Sequence, residues 1–164
     1  MKNTNNLLTI VVPSYNEERY IYNTLWQISR QKEISGTRVI ISDADSTDRT
    51  IEYINKASND FPKLKIELTQ GGHTPKGRNN GAKLVKTPYI LFMDADSILQ
   101  GKNIIKELKK YLNNYEIISC KQKSITESDN KSVWTYKILD WIRKIIPITF
   151  CTGCFFLISK DKFN

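Results

Sequence analysis

Two carboxylates follow directly on an apolar run in Tyr89-Ile90-Leu91-Phe92-Met93-Asp94-Ala95-Asp96-Ser97. The run reads as a buried strand, and Pro88 marks where it begins. Side chains alternate along a strand, so Asp94 and Asp96 share one side if the extended backbone persists through Ala95. Two anions held together where a buried strand surfaces repel each other. A divalent cation, or the positive edge of a ligand, relieves that repulsion. Carboxylate oxygens suit Mg²⁺ or Mn²⁺, which take one or two protein carboxylates and complete their shell with phosphates and water. Asp-x-Asp also occurs as a plain solvated turn, so its meaning depends on the company it keeps.

Three further stretches carry chemistry. Pro13-Ser14-Tyr15-Asn16-Glu17 breaks the apolar run Leu7 to Val12, and Asp43-Ala44-Asp45 ends Val39-Ile40-Ile41. Gly71-Gly72-His73-Thr74-Pro75-Lys76-Gly77-Arg78 reads as a flexible basic loop whose glycines and cations can approach a phosphate. It has neither a Walker A pattern nor G-x-G-x-x-G, which argues against a standard P-loop or dinucleotide site. Cys151-Thr152-Gly153-Cys154 has the spacing of a zinc or redox pair. Zinc needs more ligands than that, and His73 is the sole histidine. The apolar residues after Cys154 read as a strand, not as the helix a redox motif opens.

These residues need a scaffold. Strands are expected over Leu7–Val12, Val39–Ile41, Lys63–Thr69, Tyr89–Met93, Ile117–Cys120 and Cys154–Ser159. A helix opened by Glu17 and Glu18 carries Ile21, Leu25 and Ile28 inward and ends before Gly36. A second, capped by Ser46 or Thr47, runs to about Ala57. Further helices are expected over Asn79–Lys86 and Asn103–Tyr111, with Ser124–Ser132 a loop. Alternation of strand and helix predicts right-handed crossovers and a mostly parallel, Rossmann-like α/β sheet flanked by helices. In such a sheet ligands bind beyond the carboxyl ends of strands, where the Pro13, Asp43 and Asp94 segments would meet. Carboxylates there can accept from a base or ribose while a second pair holds a metal on a diphosphate. That describes a nucleotide-sugar site.

Composition narrows the class. The 164 residues are 40% hydrophobic and 26% charged, enough for one domain with a real core. The formal charge of +8 favours an anionic partner. Nucleic acid is not expected, because the acids clustered at the ligand edge would repel its phosphates. No signal peptide or transmembrane run is read, and three cysteines suggest reduced thiols in a cytoplasmic setting. The segment 133–146 puts Trp134, Ile138, Trp141 and Ile145 on one helical stripe beside Lys137, Arg143 and Lys144. It suits a core helix or a helix lying on the inner face of a membrane.

The ordered set of motifs resembles the family-two glycosyltransferases, which have the GT-A fold. The matching pieces are Val11-Val12-Pro13-Ser14-Tyr15-Asn16-Glu17-Glu18, Ser42 to Thr50, Gly77-Arg78-Asn79-Asn80-Gly81-Ala82, Tyr89 to Ser97, and Gly153-Cys154-Phe155-Phe156. The resemblance implies one domain over 1–164, with a nucleotide-binding part of about 1–100 and the start of an acceptor part after it. It implies that Pro13, Tyr15 and Glu17 line a nucleoside pocket and that Asp43 meets the base, typically uracil. Arg78 and Asn79 would lie near the nucleotide, Asp94 at the ribose or metal shell, and Asp96 on Mn²⁺ or Mg²⁺. Gly153 would belong to the acceptor side. The implied reaction is inverting transfer of a sugar from a nucleoside-diphosphate sugar, with UDP favoured, to a glycan or lipid-linked acceptor. Two departures stand out. The family has glycine where Asp45 stands, which makes Asp43 and Asp45 a rival metal pair. The chain also ends at Asn164, before the family's acidic pair that supplies a base, leaving Asp161, Glu127 and Asp129 as available acids. A donor-binding fragment without activity and a nucleotidyltransferase are the alternatives. The second commonly has a Gly-rich, Arg-containing loop after its first strand, where this chain has Pro13-Ser14-Tyr15-Asn16.

Overall fold

The central apolar runs become strands because the sheet offers them cover on both faces. In the computed structural model, which describes residues 7–112, 114–115, 117–119 and 155–163, the sheet has six strands. They are β1 (Leu8–Ser14), β2 (Thr37–Asp43), β3 (Leu64–Gln70), β4 (Tyr89–Met93), β5 (Ile117–Ser119) and β6 (Phe155–Ser159), in the order β3-β2-β1-β4-β6-β5. The first four run parallel; β6 is antiparallel to both β4 and β5. The sheet is therefore mixed, with the antiparallel part confined to the β6 side.

Helices α1 (Ile21–Ser29), α2 (Thr50–Asp60) and α4 (Ile104–Tyr111) pack on one face; α3 (Thr74–Lys83) and the short α5 (Lys160–Phe163) cover the other. Alternation along β1 sends Leu8, Ile10 and Val12 to the first face and Val11 to the second. Ile21, Leu25 and Ile28 are fully buried, as their spacing predicts. Each contributes about 1.5–3 kcal/mol by leaving water. Edge strand β3 follows its predicted alternation only in part. Leu64 is buried, yet Leu68 is 47% exposed, since no strand flanks β3 on its outer side.

Three helix starts differ from the sequence expectation. Glu17 does not open α1: its carbonyl accepts from the N–H groups of Tyr20 and Ile21, making a turn before the helix begins. α2 begins at Thr50 and reaches Asp60, because Ser46 and Thr47 bond into the neighbouring loop instead of capping it. α3 begins at Thr74, inside the expected loop. Pro75 sits in its first turn, where a missing N–H breaks no helical bond. Gly77 and Gly81 act as clearance. A Cβ on Gly81 would collide with Val11 Cγ1, and one on Gly77 would stand 3.3 Å from Pro13 Cβ. The helix consequently lies close against β1.

The segment 133–146, the loop 124–132, Cys120, Cys151, Gly153 and Cys154 lie outside the described residues. Among the described residues no helix is long and apolar enough to cross a membrane.

Candidate functional site

The chain builds β1, β2 and β3 outward, then returns to lay β4 on the other side of β1. The connections after β1 and β4 thus diverge, and a crevice forms between them at the carboxyl edge. A cavity of about 610 Å³ lies there. The end of β1 supplies Pro13, Ser14, Tyr15 and Glu17; the end of β4 supplies Asp94, Ala95 and Asp96. Ala44 comes from the end of β2, and Gly72, His73 and Thr74 from the approach to α3. The structure therefore gathers five of the sequence-predicted residues, Pro13, Tyr15, Glu17, Asp94 and Asp96, around one space.

The premise that Asp94 and Asp96 continue the strand does not hold. β4 ends at Met93, and the Ser97 N–H closes a turn on the Asp94 carbonyl at 3.1 Å. Ala95 is buried, its carbonyl taking the Thr24 hydroxyl at 2.6 Å. Both carboxylates still face the cavity. Asp94 is oriented by Arg78, whose Nη2 donates to Oδ1 at 2.5 Å. The Nε of Arg78 is buried without a partner, so the guanidinium retains donor capacity beside the site. Asp96 is exposed and accepts no hydrogen bond among the described residues.

Glu17 completes a negative cluster. Burial, followed by the charges of Asp96, Asp94 and Asp48, pushes its carboxyl above the ordinary range. One guanidinium does not balance these acids. No group of three or more His, Cys, Asp or Glu side chains forms a closed metal cage among the described residues. Mg²⁺ and Mn²⁺ do not require one: one or two carboxylates with oxygens from a phosphate suffice, and Asp94 and Asp96 fit that donor set.

Asp43 lies behind the cavity wall. Its Oδ1 accepts from the hydroxyls of Ser14 at 2.7 Å and Ser46 at 2.6 Å, and Oδ2 accepts from the Ser46 N–H at 2.8 Å. One lone pair of Oδ2 remains. Asp45 adopts φ +59, the left-handed region that a glycine would occupy without strain, and both its oxygens take the Gln70 amide at 2.9 Å. Asp43 and Asp45 are thus engaged elsewhere and do not present a second carboxylate pair to the cavity.

Other expected residues are not brought in. Asn79 is exposed, on the α3 face turned away from Gly77 and Gly81; it is Asn80 that donates to the Gly71 carbonyl at 3.0 Å. Lys76 folds its stem toward Gly72 and does not line the cavity. Asp161 follows β6, whose last residue Ser159 pairs with Tyr89 at the amino edge, so it lies at the far end of the sheet. Glu127 and Asp129 are outside the described residues. Ser14, His73 and Thr74 lie within the stretches that the sequence marks for the ligand edge, but it does not single them out as cavity residues. Their only signal is position, at the last residue of β1 and around the first residue of α3.

A sequence model of glycosyl transferase family 2 matches residues 9–164. The chain is 34% identical over 116 residues to the teichoic acid poly(glycerol phosphate) polymerase of Staphylococcus epidermidis, covering 70% of this chain but 16% of that protein. The crystal structure of S. aureus TarS 1–349 in complex with UDP superposes with a TM-score of 0.64 at 26% identity, covering 74% of this chain and 37% of that one. The mannosyltransferase PcManGT from Pyrobaculum calidifontis, in complex with GDP-Man and Mn²⁺, superposes with a TM-score of 0.72 over 94% of this chain and 45% of its own. At 18% identity, that likeness is one of fold.

Proposed function

The chain belongs to glycosyl transferase family 2, and we propose that it forms the donor-binding part of an inverting glycosyltransferase that takes its sugar from a nucleoside diphosphate. The observation that carries this reading is the convergence of Glu17, Asp94 and Asp96 around a cavity at the sheet's switch point, with Arg78 paired to Asp94. In this reading residues 1–164 are one GT-A-like domain, with the donor held by about 1–100. UDP is the favoured carrier: TarS, with which the chain shares 26% identity, was crystallised with it.

The exposed ring of Tyr15 and the buried Pro13 offer the base an apolar lip, with the remaining lone pair of Asp43 behind. Asp94 and Asp96 would hold Mg²⁺ or Mn²⁺. When bound, such an ion neutralises the leaving diphosphate as a Lewis acid. Arg78 fixes the Asp94 carboxylate and places its positive charge behind it, where it would oppose the charge of the leaving group. The acceptor in this reading is a glycan or lipid-linked polymer, approached from the side that residues beyond about 101 begin to build. The formal charge of +8 suits an anionic acceptor or a peripheral contact with an anionic membrane.

Calorimetric titration with UDP and GDP, with and without Mn²⁺, tests the reading. UDP binds in the presence of Mn²⁺, and Asp96→Asn weakens that binding by roughly tenfold or more. Absence of nucleoside diphosphate binding under every condition overturns it.

A further inference from the structure

Glu17 and Tyr15 reach the cavity from a loop whose own turn holds only its Glu17 carbonyl; the N–H groups of Asn16, Glu17 and Glu18 find their partners elsewhere. These three successive N–H groups are donated to side chains between the end of β2 and the first residue of α2. Asn16 N–H goes to Ser46 Oγ at 2.9 Å, Glu17 N–H to Thr50 Oγ1 at 2.7 Å, and Glu18 N–H to Asp48 Oδ2 at 3.1 Å. The reverse traffic is also present, since Asn16 Oδ1 accepts from the Thr47 N–H at 2.8 Å and Glu18 Oε2 from the Arg49 N–H at 3.1 Å. Asn16 needs this support, for it sits at φ +53.

Thr50 is the centre of the clamp. It is fully buried. Its hydroxyl accepts from Glu17 and donates its one proton to Asp48 Oδ1 at 2.5 Å, so both roles of the oxygen are used. Asp48 Oδ1 also takes the Thr50 N–H at 3.0 Å. Partial burial opposes the Asp48 charge, but the Thr50 hydroxyl and the N–H groups of Thr50 and Glu18 outweigh it and hold the carboxyl below its ordinary range. Asp48 is thereby kept ionised, as an acceptor for two loops at once.

We propose that Thr50 and Asp48 are positioning residues for donor binding, acting through the Glu17 backbone to fix where the Glu17 carboxylate and the Tyr15 ring stand in the cavity. Neither Thr50 nor Asp48 lines that cavity. The inference rests on the donor reading above and extends it to residues whose effect on the ligand is indirect.

The test is Thr50→Val, which keeps the branched shape and removes the hydroxyl, against Thr50→Ser, which keeps the hydroxyl. Each is read in two ways: UDP affinity in Mn²⁺, and amide hydrogen exchange at Glu17 with Ile10 and Val11 as core references. Thr50→Val weakens UDP binding about tenfold and speeds exchange at Glu17 while the core amides stay protected, and Thr50→Ser restores both. If Thr50→Val does not fold, Asp48→Asn replaces it, with exchange read at Glu18 in place of Glu17, because its amide nitrogen cannot accept from the Glu18 N–H. Native UDP affinity in a variant whose Glu17 amide is released overturns the donor role. Unchanged exchange at Glu17 overturns the clamp. A native chain that binds no nucleoside diphosphate overturns the donor reading itself, and with it the donor role of the clamp; the exchange readings then still decide whether Thr50 holds the loop.

Discussion

Arg38 and Arg78 each meet a carboxylate, at opposite ends of one sheet, and both engage the helix α3. At the amino end Arg38 forks onto Glu67, Nε to Oε1 at 2.8 Å and Nη2 to Oε2 at 2.6 Å. Its Nη1 donates to the carbonyl of Leu84, which caps α3. The Arg38 hydrogen bonds hold the Glu67 carboxyl below its ordinary range despite partial burial. At the carboxyl end Arg78, which α3 itself carries, makes one bond to Asp94 and leaves its buried Nε unpaired, with Glu17 and Asp96 nearby. Arg38 engages all three of its guanidinium nitrogens; Arg78 engages one among the described residues, beside excess negative charge. A structural pair is built to be complete, whereas a ligand site must leave bonds unmade until the ligand arrives.

The sharpest way to break this comparison is Arg78→Leu. It leaves the partly buried Asp94 among like charges, so unfolding free energy falls by about 2–3 kcal/mol, below the range for a fully buried pair because solvent still reaches Asp94. UDP affinity in Mn²⁺ falls more than about tenfold. Urea denaturation and calorimetry read the two effects separately. Arg38→Met is the control. It removes the fork and the helix cap, costing about 1 kcal/mol, since Glu67 is 46% exposed and its pair is screened. UDP affinity stays within about twofold, the sites being far apart. Equal losses of affinity in the two variants would show that the ends are not functionally distinct.

The same contrast explains what the sequence revealed. The strands were legible because short apolar runs bounded by proline and polar residues leave few alternatives. Asp94, Asp96 and Glu17 were legible because strand ends converge at a switch point whatever the loops do. The start of α3 was not, since Gly71, Gly72, Pro75 and Gly77 look like loop chemistry. In the fold Pro75 occupies a first turn, and Gly77 provides clearance against Pro13. The clamp was hidden for another reason. Ser46, Asp48 and Thr50 spend their oxygens on N–H groups about thirty positions away, which no local pattern reports. Local propensity assigned Ser46 and Thr47 to a helix cap; long-range partners claimed them.

The smallest effect probes the unbalanced charge directly. The Glu17 carboxyl titrates above its ordinary value near 4.5, so ionising it costs more in the folded chain than in the unfolded one. That stabilising difference is present while Glu17 is protonated, and it is lost as pH rises through the folded value. Glu17→Gln cannot ionise and escapes the loss. Without divalent cation, the variant therefore melts above the native chain at pH 7, by about 1–2 °C, given that solvent screens a half-exposed group. The gap closes as pH falls below about 4.5, where the native carboxyl is protonated in both states. Because Asp96 and Asp94 contribute to the shift, Asp96→Asn narrows the gap as well. A melting difference that ignores pH, or one unaltered by Asp96→Asn, would mean that the three acids do not share a field. The contrast between a saturated amino end and an open carboxyl end would then rest on Arg78 alone.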